Sequence, residues 1–312
     1  MEKHGRIYIA GHRGLFGAET LRQLERQGYD TLICRTHTQL DLTRQADVEA
    51  FFMQERPEYV FMMCGKVGGI QANKEYMTEF TLENLKMNAN IIESAHRAGV
   101  KKLLYLGSSC MYPRESEQPV KEEYLLRGEL EPTNEGYALA KILGLKLCAY
   151  YKRQYGDDFI SCIPANVYGP GDNFDDDGGH VIPALLKRFH QAKTLGMDTV
   201  SIWGSGRALR EFLYISDAVS ACILLMQHYG GVEPVNIGMG VCTSIRELAE
   251  LVAETVGFEG KLEFDVMKPD GMMMRMLDGR RMFSLGWRPG ISLKEGLAKT
   301  YQWYLSNEEG RK

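Results

Sequence analysis

The sequence has no basic surplus and no long apolar run. Its 312 residues include 37 Lys and Arg against 41 Asp and Glu, a formal net charge of −4. Nucleic-acid-binding surfaces are normally basic, so we expect no nucleic-acid partner. No apolar stretch approaches the ~20 residues that span a bilayer, and the N-terminal residues do not form a secretory signal. The sequence therefore predicts a cytoplasmic protein without a membrane partner.

The cysteines are too scattered for a disulfide framework or a zinc site. Seven are present, and no pair has Cys-x-x-Cys spacing. We expect no metal site, and most of these thiols are expected to act as small buried hydrophobic groups.

Apolar, strand-like runs alternate with helical patterns through the first half of the chain. These runs end near residues 10, 34, 64, 106 and 163. The alternation predicts an α/β fold built on a doubly wound parallel sheet, and it loosens from about residue 170. We therefore expect one domain at residues 1–169, with a return near 211–240. A smaller mixed α/β domain would comprise residues 170–210 and 241–312.

A glycine-rich segment stands directly after the first strand. Gly11, Gly14 and Gly17 recur at every third position and lead into a helical pattern. Glycines permit a tight turn, and the helix N-terminus offers free amides to a pyrophosphate. A lone glycine triplet also fits an ordinary loop, but the position between strand and helix favours dinucleotide binding.

The end of the second strand indicates which dinucleotide is bound. It reads Arg35-Thr36-His37, and no carboxylate follows until Asp41. An acidic residue here would accept the ribose hydroxyls of NAD, whereas a cation accommodates the extra phosphate of NADP. Arg35, together with Arg13, therefore favours NADP. The alternative is that either arginine only covers a strand edge.

Tyr137 and Lys141 have the spacing of neighbours on one helix face. A phenol has an ordinary pKa of roughly 10, and a nearby cation is expected to lower it, which suits an acid or base near neutral pH. Ser108, in the turn after the fourth strand, would hold the substrate oxygen. Without this context, a Tyr-x-x-x-Lys pair is more often a surface feature.

These motifs together resemble the extended short-chain dehydrogenase/reductase family over essentially the whole chain. Within that family the resemblance is to the branch that epimerises and reduces GDP-4-keto-6-deoxy-D-mannose with NADPH. It implies a Rossmann-like NADP-binding domain and a nucleotide-sugar-binding domain. The segments that carry it are Ala10 to Gly14, Lys66 to Ile70, Leu106 to Pro113, Pro132 to Glu135, Asn166 to Pro170, Asp172 to Phe174, His180 to Leu185, Trp203 to Gly206 and Arg210 to Leu213.

The resemblance implies a set of site residues. Tyr137 protonates the alkoxide at carbon 4, Lys141 tunes Tyr137 and orients the ribose, and Ser108 binds the carbonyl oxygen. Cys110 and His180 match the acid–base pair for epimerisation at carbons 3 and 5; composition alone would make them a buried thiol and a loop histidine. The implied substrate contacts are Arg188, Trp203, Arg210 and Asp270. The implied cofactor contacts are Gly11, His12, Arg13, Gly14, Leu15, Phe16, Gly17, Arg35, Leu106, Gly107, Ser108, Tyr137, Lys141, Pro164, Asn166, Val167 and His180.

Three points leave alternatives open. Lys187 and Arg188 supply charge for the diphosphate or form a solvated helix face. His37 stands where the family usually has a cation, which weakens the case for NADP. Met272, Met273 and Met274 replace a rigid basic turn, and methionine is adaptable, so a related GDP-sugar such as a heptose stays open as the substrate.

The competing functions are a reductase-only or epimerase-only enzyme on a related GDP-4-keto sugar, and a non-catalytic NADP-binding protein. The last typically lacks the Tyr or Lys of the pair, and both are present here. We also expect a homodimer, formed through the amphipathic runs at about 81–97 and 137–153.

Overall fold

A computed structural model describes residues 1–174, 180–268, 270 and 272–308. Strands and helices alternate through its first half, as the apolar pattern predicts. In chain order these elements are β1 (Ile7–Ala10), α1 (Leu15–Arg26), β2 (Leu32–Ile33), α2 (Gln45–Glu55), β3 (Tyr59–Met62), α3 (Ile70–Glu75), α4 (Met77–Arg97), β4 (Lys102–Leu106), α5 (Glu135–Tyr155) and β5 (Phe159–Pro164).

The second half has shorter strands and loses the strict alternation. Its elements are β6 (Asn166–Tyr168), α6 (Val181–Thr194), β7 (Thr199–Trp203), β8 (Leu209–Arg210), β9 (Phe212–Tyr214), α7 (Ile215–His228), β10 (Val235–Ile237), β11 (Thr243–Ser244), α8 (Ile245–Val256), β12 (Lys261–Asp265), β13 (Met274–Arg275), α9 (Arg280–Ser284) and α10 (Leu293–Glu308).

Six parallel strands form the central sheet, in the order β10-β5-β4-β3-β1-β2. Strands β1, β3, β4 and β5 are buried along their whole length. Two groups of helices shield the sheet from water: α1 packs with α7, and α4 packs with α2 and α5. Full burial of parallel strands is typical of this architecture, and the predicted doubly wound α/β fold is confirmed.

The strand order reverses between β1 and β3, and the glycine segment lies at this reversal. Gly11 follows β1 and approaches the chain after β3 closely, because a Cβ at Gly11 would stand 2.8 Å from the Cα of Cys64. Ligands of open α/β sheets bind outside the carboxyl ends of the strands at such a point. β4 and β5 end at the same edge, so the topology brings the predicted cofactor segments together.

Helix α4 holds the first turns of α5, which carry the Tyr-Lys pair. The two helices are so close that a Cβ at Gly136 would lie 2.1 Å from Thr81 Oγ1. The side-chain amide of Asn88, buried in α4, donates to the carbonyl of Ala140 at 2.8 Å. A glycine contact and a buried hydrogen bond therefore fix the position of α5 beside the sheet.

Three small sheets make up much of the second half. β8 lies between β11 and β13, β7 pairs with β12, and β6 pairs with β9. β10, which falls inside the predicted return at 211–240, belongs to the central sheet. The division of the chain into two domains at the predicted boundaries stays a prediction.

Several elements differ in extent from the sequence expectation. β2 covers two residues and not the four of 31–34; as the edge strand it has a partner on one side only. α4 begins at Met77, earlier than about Thr81, and α3 was not expected. A capping box begins α8: the Ser244 hydroxyl accepts from the Glu247 amide at 3.1 Å, and the Glu247 carboxylate accepts from the Ser244 amide at 2.9 Å. Within the ranges described above, none of the helices has the length and apolar character to cross a bilayer.

Candidate active site

The glycine segment forms a tight turn that leads into the N-terminus of α1. Gly11 has a φ of +83°, and the amide of Gly14 donates to the Gly11 carbonyl at 3.0 Å. Gly14 is the N-cap of α1, and no side chain caps the first turn. The uncapped amides therefore suit an anion at the helix N-terminus, so these residues fit NADP. His12, Arg13, Leu15 and Phe16 lie in the same turn and at the start of α1.

Arg35 is held in place after β2 by neighbouring groups. Its guanidinium donates to Glu55 Oε1 at 2.5 Å and to the Cys34 carbonyl at 2.8 Å, and it stands 5.6 Å from the Phe51 ring centroid. His37 is exposed. A cofactor phosphate bound at Arg35 would therefore share the guanidinium with the Glu55 carboxylate. The sequence spacing did not indicate this ion pair.

Five more of the predicted cofactor residues lie at or just after the ends of β4 and β5. Leu106 ends β4, and a Cβ at Gly107 would stand 2.8 Å from the Cys162 carbonyl, so only glycine fits there. Pro164 ends β5, and Asn166 and Val167 belong to β6.

Ser108 and Cys110 meet in the turn after β4. The Cys110 thiol donates to Ser108 Oγ at 3.1 Å, and Ser108 caps the short 3-10 turn Ser109–Met111. Lys141 lies buried in α5, where its ammonium donates to the Leu106 carbonyl at 2.9 Å and stands 5.9 Å from the Tyr137 ring centroid. Ser108 also acts on Tyr137, since its hydroxyl lowers the pKa of that phenol. The structure thus brings four of the five predicted catalytic residues together.

The pKa of Tyr137 does not follow the sequence expectation. Burial raises it above its ordinary value, the thiol of Cys110 raises it further, and the Ser108 hydroxyl lowers it. Lys141 is not among the causes of this shift; its ammonium is itself buried, with its own pKa lowered by burial, and donates to a backbone carbonyl. Tyr137 is therefore a protonated phenol at neutral pH, the form that can donate a proton.

Two opposing influences act on Cys110. Burial raises the pKa of its thiol, whereas the Ser108 hydrogen bond and the charges of Lys141 and Arg275 lower it. A thiolate formed here would have two cations within electrostatic reach.

His180, the fifth predicted catalytic residue, is the N-cap of α6. Its side chain is 58% exposed, and Nδ1 lies 3.4 Å from Oδ1 of buried Asp172. The hydrogen bond that the imidazole donates to this carboxylate raises the pKa of His180, although desolvation opposes the shift. The chain at 175–179, just before His180, is outside the described residues.

The four predicted substrate residues have different environments. Arg188 donates to the Ser201 carbonyl at 2.9 Å, and Trp203 is 65% exposed. Arg210 is half-buried in β8, with its pKa lowered mainly by burial. The Asp270 carboxylate accepts from the amide and hydroxyl of Ser205 at 2.6 and 2.7 Å. Asp270 thus braces the turn after β7, a structural contact that the sequence did not indicate.

Two further residues near the site were not predicted. Arg275 in β13 is 6% exposed, and its Nη1 has no hydrogen-bond partner in the described part of the chain. Glu211, between β8 and β9, is 1% exposed. Sequence spacing offered no signal for either, since their neighbours are distant along the chain. Among the residues that the structure describes, no three His, Cys, Asp or Glu side chains are grouped to hold a metal ion.

The doubly wound sheet, uncapped glycine turn and Ser-Tyr-Lys cluster define a dinucleotide-dependent enzyme of the short-chain dehydrogenase/reductase type. The chain belongs to the NAD dependent epimerase/dehydratase family, whose model matches residues 7–238. GDP-L-fucose synthase 1 of Arabidopsis thaliana is 53% identical over 306 residues, which cover 98% of this chain and 95% of that protein.

Solved structures agree with this assignment. A GDP-L-fucose synthetase from Naegleria fowleri bound to NADP has a TM-score of 0.91 at 28% identity, covering 99% of this chain and 96% of the other. A GDP-6-OMe-4-keto-L-xylo-heptose reductase from C. jejuni has a TM-score of 0.92 at 35% identity, with 98% and 99% covered. The expected enzyme class, the NADP-dependent epimerase-reductases of the GDP-L-fucose synthase type, is confirmed, as is NADP as cofactor.

Proposed function

We propose that this enzyme epimerises carbons 3 and 5 and reduces carbon 4 of a GDP-4-keto-6-deoxy-hexose, giving GDP-L-fucose or a close analogue. The observation that carries the proposal is the cluster of Ser108, Cys110, Tyr137 and Lys141 at the carboxyl end of β4. In this cluster the three residues that serve reduction, Ser108, Tyr137 and Lys141, lie beside the Cys110 thiol. Relatives that match nearly the whole chain include GDP-L-fucose synthases.

Cys110 and His180 exchange the protons at carbons 3 and 5. These hydrogens are acidic because each carbon flanks the 4-keto group. Burial raises the pKa of the Cys110 thiol, and the Ser108 hydrogen bond and the charges of Lys141 and Arg275 oppose this rise. Cys110 acts as the base on one face of the sugar, with these groups stabilising the thiolate as it forms. The carboxylate of Asp172 favours the His180 imidazolium, which returns a proton on the other face.

Ser108 and Tyr137 act on the carbonyl oxygen during reduction. Bound NADPH supplies the hydride for carbon 4. Ser108 donates a hydrogen bond to the oxygen, and Tyr137, kept as a phenol by burial, transfers its proton to the alkoxide. Lys141, fixed by the Leu106 carbonyl, keeps a positive charge next to the developing anion.

Two guanidinium groups serve the substrate diphosphate. Arg210 in β8 and Arg275 in β13 are direct register partners on neighbouring parallel strands. Both are at least half-buried, and Arg275 has an unsatisfied nitrogen among the described residues. Buried cations without an anion are costly, so an arriving diphosphate would be strongly favoured. Exposed Trp203 offers its ring to the base, and Arg188 supplies further charge at the rim.

The test is an incubation with NADPH and GDP-4-keto-6-deoxy-D-mannose in deuterated water, followed by NADPH absorbance and by NMR of the product. We expect NADPH consumption with deuterium at carbons 3 and 5. Cys110→Ser should lose deuteration, whereas Cys148→Ser, at a buried thiol of α5, should retain it. Consumption without deuterium would identify a reductase only. No consumption would refute this substrate and direct the assay to larger GDP-sugars.

The active form is a homodimer built through α4 and α5. Apolar side chains stand exposed on these two helices: Leu82, Leu139, Leu143 and Tyr150. Such a surface is costly in a monomer, and a second copy would bury it. Leu139→Glu with Leu143→Glu should halve the mass measured by sedimentation, whereas Leu195→Glu, at a 75% exposed position elsewhere, should not. A monomeric wild type would refute the dimer.

The enzyme acts in the cytoplasm. All seven cysteines are unpaired thiols, and proteins of oxidising compartments usually pair theirs. Fractionation of cells with an antibody to the chain tests this assignment, and recovery in a secreted fraction would contradict it.

A further inference from the structure

Glu211 makes an unusual set of contacts for a buried carboxylate. Its Oε1 accepts from the amides of Met239 at 2.8 Å and Gly240 at 2.9 Å. Its Oε2 accepts from the amide of Leu277 at 2.6 Å. Three backbone donors therefore converge on one side chain, and both oxygens are used.

These donors belong to different parts of the fold. Met239 and Gly240 follow β10 of the central sheet, and Leu277 follows β13. Glu211 itself stands between β8 and β9, and its own carbonyl accepts from the Asn166 side chain of β6 at 3.1 Å. One residue thus joins the central sheet to the small sheet that carries β8 and β13.

Charge pairing does not explain this carboxylate. Within the described parts of the chain it has no Lys, Arg or His in salt-bridge contact, and burying an unpaired charge is costly. Burial raises the pKa of Glu211 to about 7, and the three amide donors oppose the shift. Above that pH the side chain is a pure acceptor, so neither oxygen carries a hydrogen that competes with the three amide donors.

The residues next to these contacts are the two substrate arginines. Arg210 precedes Glu211 directly, and Arg275 lies two residues before Leu277. A Cβ at Gly238 would stand 3.1 Å from Glu211 Oε1, so the space around the carboxylate is filled and the strands cannot shift without losing hydrogen bonds. The pairing of β8 and β13 already sets the two guanidinium groups in register, and Glu211 ties this pair to the loop after β10.

We propose that Glu211 is a positioning residue of the substrate site, whose carboxylate fastens β8 and β13 to the loop after β10 so that Arg210 and Arg275 are preorganised for the diphosphate of a GDP-sugar. This inference rests on the proposed function. The proposed role of Glu211 concerns substrate binding and not cofactor binding, because none of the three contacts touches the glycine turn or Arg35.

The test compares Glu211→Gln with Asp217→Asn at pH 8. In the Glu211→Gln variant the side-chain NH₂ must face a backbone N–H, so at least one contact becomes a donor–donor conflict. Asp217 also accepts two backbone amides, from Gly290 and Ile291, but both bond to Oδ2 alone, which Asn can reproduce. The readouts are GDP affinity of the NADP-loaded protein by calorimetry, NADPH affinity, and KM and kcat for the GDP-sugar.

We expect Glu211→Gln to weaken GDP binding and raise KM by about tenfold or more, with NADPH affinity within about twofold of wild type and kcat at saturation little changed. Asp217→Asn should leave all four values near wild type. Equal losses of NADPH and GDP affinity, or an unchanged KM, would overturn the proposal. If wild type does not bind GDP, the proposed function fails first, and this inference fails with it.

If Glu211→Gln does not fold, amide hydrogen exchange on the wild-type protein tests whether the Glu211 contacts are preformed. In wild-type protein loaded with NADP but free of GDP, the amides of Met239, Gly240 and Leu277 should already exchange slowly, because the contacts are preformed. Exchange at the rate of open loops, with protection appearing only after GDP is added, would overturn preorganisation.

Discussion

Gly17→Ala isolates the contact between the glycine turn and the helix behind it. A Cβ at Gly17 would stand 2.1 Å from the Gly11 carbonyl oxygen and 2.7 Å from the Cα of His12. Both are backbone atoms, and the Gly11 carbonyl also accepts from Gly14. The added methyl cannot be accommodated by rotating a side chain, so the turn must move away from α1 by about 1 Å, given ordinary carbon–oxygen contact distances.

Two opposing effects set the expected loss in the free energy of unfolding of Gly17→Ala. Overpacking of this kind costs about 1–3 kcal/mol, and replacing glycine by alanine inside a helix returns roughly 0.5–1 kcal/mol. The net loss is therefore between zero and about 2.5 kcal/mol, which corresponds to a fall in Tm of up to roughly 10 °C. NADPH affinity should fall by about tenfold or more, since the displaced turn no longer presents its amides correctly.

Gly14→Ala is the matched control. The methyl there would meet nothing nearer than 3.5 Å, and Gly14 has a φ of −79° that alanine adopts freely. Thermal unfolding of the cofactor-free proteins, with NADPH titration for Gly17→Ala, provides the comparison. The reasoning would be refuted by an unchanged Tm and NADPH affinity in Gly17→Ala, or by an equal loss of Tm in Gly14→Ala.

Three further predictions address the chemistry. Tyr137→Phe should slow single-turnover reduction by about 10²–10⁴-fold with NADPH affinity unchanged; retention of most of the rate would contradict its role as proton donor. Because Asp172 raises the pKa of His180, their contact stabilises the fold below the ordinary histidine pKa and this stabilisation fades as pH rises through the raised value. Asp172→Asn should therefore move the alkaline limb of deuterium exchange to lower pH, and an unmoved limb would exclude this coupling. Arg35→Met should reduce the preference for NADPH over NADH by about tenfold, whereas Glu55→Gln, which frees the guanidinium, should raise it; both are read from cofactor titrations.

Local patterns in the sequence determined much of the fold and part of the site. A short apolar strand followed by glycines at every third position predicts β1, the turn and α1, because these signals lie in one short segment of the chain. The capping box at Ser244 and Glu247 marked the start of α8 for the same reason. Helical spacing alone placed Tyr137 and Lys141 on one side of α5.

The tertiary structure decided what depends on burial and on distant neighbours. The pKa of Tyr137 rises instead of falling, since its largest cause is desolvation, which is a property of the packed site. Glu211 and Arg275 gained their significance only when the fold brought them together from distant parts of the sequence. Spacing reports which residues share a helix face or a turn; desolvation and long-range contact are set by the assembled fold.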